Sequence, residues 1–225
     1  ISGVDGAAMI DALNAGQEVR ITVHQQDQLS DWEEGGQMSS FTSWGSGSGL
    51  ELKPEITAPG GNIYSVNGAV EGGKAYENMS GTSMAAPQVT GMVAVLAQYL
   101  RENGLAEKTG ISARHLAQSL LMSTAEPISE TDTTYYPVLR QGAGLANIQN
   151  AISAGSYLLM DADATGSYAD GKIKAELGDD PDRSGTYSFG FTIYNLEDTA
   201  TAFRLSADFF TQALAADSNA TLYED

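Results

Sequence analysis

The chain of 225 residues has no cysteine, so disulfides and thiolate metal sites are excluded outright. That absence leaves the compartment open, although it suits exported bacterial enzymes that fold without disulfides. Basic residues are scarce, 11 against 29 acids, for a formal net charge of −18. Nucleic acid and anionic membrane surfaces are therefore poor partners. The acidic balance either favours basic substrates or keeps an exported protein in solution. No run reaches the roughly 18 uninterrupted apolar residues of a membrane span, and no secretory signal opens the sequence. Histidine is nearly missing, with only His24 and His115. Ile1 begins mid-pattern without an initiator methionine, which suggests a piece of something longer. What is present, 42% hydrophobic and 8% aromatic residues, belongs to a globular protein. The length suits one large or two modest domains.

One stretch organises the rest: Asn78-Met79-Ser80-Gly81-Thr82-Ser83-Met84-Ala85-Ala86-Pro87, a small-residue turn feeding a long apolar helix to about Leu100. A hydroxyl at the mouth of such a helix sits among unpaired backbone N–H groups and the positive end of the dipole. That setting suits a serine that attacks a carbonyl and then stabilises a negative oxygen. Gly81, Ala85 and Ala86 let a substrate backbone come close. Ser83 is thus the nucleophile candidate, weighed against a plain serine N-cap on a buried helix.

Upstream, residues 4–15 place Val4, Ala8, Met9, Ala12 and Leu13 on one helical face, with Gly16 as the stop. Glu18 to His24 alternates as a half-buried strand does. A polar, acidic boundary follows to Gly36. Met38 to Gly45 then reads as a short strand, Lys53 to Gly61 as a rigid crossing with two prolines, and Asn62 to Val66 as a second short strand. The helix after Ser83 is apolar nearly all round to residue 97 and is expected to be central and buried. Ser112 caps a second helix to Ser123, and Gly142-Ala143-Gly144-Leu145-Ala146-Asn147 precedes a short one to Ala154. From Ser156 the pattern turns to short strands, at 157–160, 172–177, 185–194 and 202–209, which suggest the start of a β-sandwich.

Gly81-Thr82-Ser83-Met84-Ala85-x-Pro87 resembles the nucleophile signature of subtilisin-like serine proteases. The Ser39-to-Gly45 segment, the Lys53-Pro54-Glu55-x-x-Ala58-Pro59-Gly60 crossing and Gly142-x-Gly144-Leu145-x-Asn147 resemble, in order, further elements of that family. The resemblance implies an α/β fold: the C-terminal part of a parallel-sheet catalytic domain over 28–155, plus an incomplete all-β sandwich. Residues 1–27 look like the tail of an inserted protease-associated domain. Residues 156–225 look like the start of a fibronectin-III-like module, as in cell-envelope proteases of the lactocepin type. It further implies Ser83 as catalytic nucleophile, Thr82 as oxyanion support, Gly81 as substrate-binding, and a protein or peptide substrate. The implied parent is a bacterial endopeptidase, secreted or attached to the cell envelope.

Such chemistry needs a base held by a third group. The family orders its triad Asp, His, Ser along the chain, and neither His24-Gln25-Gln26 nor His115 looks like that base. The resemblance therefore places the aspartate, the histidine and the oxyanion asparagine upstream, and the isolated chain is expected to be inactive. Exposed sheet edges then call for an absent N-terminal partner segment or an oligomer. The rival reading is a non-catalytic adhesion or scaffold module with a degenerate protease portion.

Other motifs weigh less. Gly68 to Lys74 nearly matches a P-loop but fails at Ala75, where Ser or Thr is required, so a turn is the better reading. Asn78 reads as a structural turn residue. No cofactor is expected; weak calcium binding is the most that is offered by Asp161 and Asp163, where Lys172 replaces the bidentate Glu of a calcium loop, or by the separate acidic turn at Asp179, Asp180 and Asp182.

Overall fold

The computed structural model describes residues 3–20, 35–48, 51–69, 72, 75–131, 134–161, 173–175, 177, 180–207, 212–214 and 222–224. It divides into two compact units, 1–35 and 36–225. The first contains α1 (Gly3–Asn14), which ends as expected: Gly16 takes φ 73° and its N–H bonds Leu13 O at 3.0 Å. Ile10 and Leu13 are each 59% exposed, while Met9 and Ala12 are half-buried. Residues 17–20 form no strand, and the rest of the expected 18–24 strand, including His24, lies outside the described residues.

The second unit runs β1 (Ile63–Asn67), β2 (Ala75–Met79), α2 (Thr82–Glu102), α3 (Leu105–Thr109), α4 (Ala113–Ser123), α5 (Val138–Gln141), α6 (Ile148–Ser153), β3 (Ser156–Met160), β4 (Phe191–Asn195), β5 (Gln212–Leu214) and β6 (Leu222–Glu224). Its core is helical. Leu96 and Leu100 of α2 meet Leu116, Leu120 and Leu121 of α4 and Ala151 of α6, because each helix repeats apolar residues at three- and four-residue spacing. Strand β3, beyond residue 155, adds Tyr157 and Leu159 to the same cluster. Ser119, fully buried on α4, donates to Leu158 O at 2.8 Å, so its hydroxyl is satisfied where water cannot reach. Ser112 caps α4 as expected, its Oγ accepting from the His115 N–H at 3.4 Å.

Several expectations change. Among the described residues the three ladders, β1–β2, β3–β4 and β5–β6, are antiparallel pairs, and parallel pairing survives only as the bridge Thr57–Leu145. No sandwich assembles among the described residues: 173–175 and 201–207 are not strands, and of the 185–194 run only 191–194 pair, with β3. Met38 to Gly45 is not a strand either; it is tied to the body by Gly45 N–H to Leu139 O at 2.9 Å, by Arg140 Nη2 to Ser39 O at 3.3 Å and by the Arg140 guanidinium over the Trp44 ring. An alternating pattern makes a strand only where a neighbour accepts its ladder bonds, and no strand among the described residues pairs with these segments. The long helix α2 is correct in extent but not in burial. Val93 and Val95 are 38% and 49% exposed, and only Leu96 and Leu100 are buried, because α4 and α6 cover its C-terminal half alone. No described helix is long and apolar enough to cross a membrane.

Candidate active site

Strand β1 hydrogen-bonds to β2 with Ile63 opposite Met79 and Asn67 opposite Ala75. Of the near-P-loop stretch before β2, Gly68, Ala69 and Gly72 are described, all as turn residues, and Asn67 Oδ1 accepts the Ala69 N–H at 3.0 Å. Asn78 lies inside β2 opposite Tyr64, a strand residue rather than a turn residue. The alternation of side chains divides the hairpin. Tyr64 and Tyr76 stack on its outer face at 5.4 Å. Ile63, Ser65, Asn67, Glu77 and Met79, joined by Val66 toward the turn, line a cleft of about 380 Å³ whose other wall is Ser83, Met84, Pro87 and Gln88. Glu77 is the one charged lining residue, and it accepts from Asn67 Nδ2.

Strand β2 leads through Ser80 and Gly81 into α2, which places Ser83 on the first turn, exposed at the cleft. Gly81 caps the helix at φ 157° and ψ 161°, a region open essentially to glycine alone. It brings no side chain to cap the helix, and no acid occupies the first turn. The Thr82 and Ser83 N–H groups therefore face outward without intrahelical acceptors, at the positive end of the dipole. Pro87 has no N–H to offer the Ser83 carbonyl one turn back. Ser83 Oγ has no hydrogen-bond partner among the described residues.

The crossing before β1 holds this turn in place. Gly60 O accepts the Gly81 N–H at 2.8 Å, Ser80 Oγ accepts the Asn62 N–H at 2.9 Å, and Pro59 O accepts Gln88 Nε2 at 2.7 Å. A Cβ on Gly60 would sit 2.7 Å from Gly81 O, so the two segments touch only because residue 60 is glycine. The crossing is itself fixed by the Gly142-to-Ala146 loop: Thr57 N–H bonds Gly144 O at 2.9 Å, and Ala146 N–H bonds Thr57 O at 2.8 Å.

Glu55 anchors the start of the crossing, with Lys53 Nζ at 3.0 Å and Lys174 Nζ at 3.2 Å. Burial pushes the Glu55 carboxyl up, but hydrogen bonds and charge from Lys53 and Lys174 outweigh it and hold the group below its ordinary 4.5. A depressed folded-state value means the carboxylate stabilises the fold above the unfolded-state pKa. That stabilisation is lost as pH falls through the folded value. The difference in thermal midpoint between wild type and Glu55→Gln should be largest above about pH 5 and shrink below about pH 4. A difference independent of pH would show that ionisation of Glu55 contributes nothing.

Among the described residues, no histidine lines the cleft. The ring of His115 is engaged at both nitrogens, with Ser112 Oγ at 2.9 Å from Nδ1 and Arg114 Nη2 at 3.0 Å from Nε2. Arginine only donates, so Nε2 accepts and Nδ1 carries the proton. His24, Asp163 and Asp179 lie outside the described residues. Asp161 accepts from Thr192 Oγ1 at 3.3 Å. Asp180 Oδ2 accepts the Gly185 N–H at 2.7 Å, and this backbone bond with that of Ser184 holds its carboxyl below the ordinary value. Among the described residues, no three His, Cys, Asp or Glu side chains gather as a metal site.

Sequence reasoning did not anticipate the roles of Gly60, Gln88, Glu55 and Lys174. The paired Gly60-Gly61 was the only signal of a close approach; nothing in the spacing links residue 174 to residue 55.

The chain is similar to known proteases across most of its length. It is 34% identical over 206 residues to the PIII-type proteinase of Lactococcus lactis subsp. cremoris, an alignment covering 85% of this chain and 10% of that protein. To the minor extracellular protease Vpr of Bacillus subtilis it is 31% identical over 212 residues, covering 91% and 23%. To a C5a peptidase of Streptococcus pyogenes it is 34% identical over 165 residues, covering 73% and 13%. The chain thus spans about a tenth of the length of the lactococcal relatives. The sequence profile described as Subtilase family, Peptidase S8, matches residues 8–169, a span that contains the crossing, the hairpin, Ser83 and the loop at Gly144. By that match the chain belongs to the subtilase family.

Proposed function

We propose that the protein carrying this chain is a bacterial serine endopeptidase, secreted or attached to the cell envelope, that hydrolyses peptide bonds through an acyl-enzyme on Ser83. One observation carries the assignment: Ser83 stands exposed on an uncapped first helical turn at the cleft beside β2, its Oγ without a hydrogen-bond partner among the described residues. Its Oγ attacks the carbonyl carbon of the substrate and gives its proton to a histidine. The Ser83 N–H donates to the oxygen that becomes negative, with Thr82 beside it and Gly81 leaving room for the substrate backbone. The leaving amine takes the proton, and water then releases the acyl group. Export is supported by the extracellular relative from Bacillus.

The aspartate, histidine and oxyanion asparagine come from a segment upstream of this chain, in a catalytic domain whose C-terminal part is 28–155. Residues 1–27 close an inserted protease-associated domain, and 156–225 open a fibronectin-III-like one. The isolated chain is consequently inactive, since a serine without its base is a poor nucleophile. A fluorophosphonate probe should label Ser83 stoichiometrically in the longer protein and leave the 225-residue chain unlabelled. Stoichiometric labelling of the isolated chain would overturn the missing-base reading, and labelling of neither would overturn the assignment of Ser83.

A further inference from the structure

We infer that Lys174 is a positioning residue for the Ser83 turn, acting at a distance through the 52–61 crossing. Its catalytic consequence rests on the assignment of Ser83 as nucleophile; its structural consequence does not. The side chain of Lys174 is 7% exposed. Lysine is almost never buried to that degree unless its ammonium is paired. Here Nζ donates to Leu52 O at 2.7 Å and meets Glu55 Oε1 at 3.2 Å, across 122 residues of sequence.

The segment that Lys174 holds is the one whose far end holds Ser83. Between them the backbone is tied at Glu55 O, which accepts the Ala143 N–H at 3.1 Å, and at Thr57 by its two bonds to the Gly144–Ala146 loop. Beyond Thr57, the Pro59 and Gly60 carbonyls accept from Gln88 and Gly81, on either side of Ser83. Slack is small at both ends, because a single Cβ fits neither at Gly60, against Gly81 O, nor at Gly142, against Glu55. A shift of the Leu52–Glu55 end therefore moves the acceptors that fix Gly81 and Gln88. The site is then set partly by a residue that follows it by some ninety positions, in the strand-bearing part of the chain.

Amide hydrogen exchange on the full chain separates this from ordinary stabilisation. Lys174→Met should speed exchange in the peptide 79–84 by about tenfold or more, the factor one hydrogen bond to a charged group commands. The α4 peptide 116–121 should stay within about twofold of wild type, since it opens only with the core. Lys174→Arg, which keeps the charge and reaches both acceptors, should restore most of the protection. Equal acceleration in both peptides, or none in 79–84, overturns the inference. Should Lys174→Met fail to fold, Glu55→Gln decides, with faster exchange confined to 79–84 as the expected result and equal acceleration in 116–121 as the refuting one. In the longer protein, Lys174→Met should also slow fluorophosphonate acylation of Ser83, with Lys174→Arg restoring the rate; unchanged acylation overturns the catalytic part. If the wild-type longer protein does not react at all, the nucleophile assignment fails while the exchange comparison still decides the tether.

Discussion

Ser83→Ala in the longer protein is expected to lower kcat for peptide hydrolysis on the order of 10⁶-fold, the loss that removing the nucleophile of subtilisin itself produces. Alanine removes the only atom able to form the acyl bond, and the amides of the first turn stay where they were. What rate survives comes from those amides and from substrate binding, so KM should change far less than kcat. Because Ser83 is exposed and its Oγ has no partner among the described residues, the variant should unfold within about 0.5 kcal/mol of wild type. Steady-state kinetics on a peptide substrate and a denaturant titration check both halves. A variant that keeps a tenth of its kcat would transfer the nucleophile's role to another residue.

Gly144→Ala is expected to cost about 4 kcal/mol or more of stability, at the far end of what single substitutions do. Gly144 has φ 112°, which L-residues rarely adopt, and a Cβ there would lie 2.3 Å from Glu126 O. Both neighbours of that contact are backbone, so no side chain can swing aside. The same residue's carbonyl accepts from Thr57, and the next residue exchanges two bonds with Glu126, so any shift breaks the bridges that hold the crossing. Loss of a cooperative urea transition, or a midpoint lowered to match that cost, is the expected result. A midpoint near wild type would mean the loop relaxes at no cost and does not fix the crossing.

These two residues mark how differently parts of the site were legible. Ser83 was readable because its chemistry is local: small residues, a glycine and a helix start in adjacent positions prescribe an exposed hydroxyl among free amides. Gly144 was readable as part of a motif, but its reason was not, since the clash with Glu126 depends on a chain approach that periodicity does not encode. Asn78 was misplaced because a strand of polar residues, Glu77 and Asn78, carries no alternation signal and forms only as the partner of β1. Glu55 reads only as part of the crossing motif and Lys174 only as part of the 172–177 segment, and their pairing appears only once the chain has folded back.

Local sequence determined the helices α1, α2, α4 and α6, the caps at Ser112 and Asn147, the stop at Gly16 and the identity of the nucleophile candidate, whereas α3 and α5 carried no signal in it. Each depends on residues a few positions apart, where backbone geometry and side-chain type interact directly. Tertiary structure alone decided which alternating segments became strands, which half of α2 is covered, and what holds the Ser83 turn. Those outcomes depend on hydrogen-bond acceptors and apolar surfaces far away in the chain. A strand is completed by its neighbour, a helix is buried by what packs on it, and a buried lysine is tolerated by the carboxylate it meets.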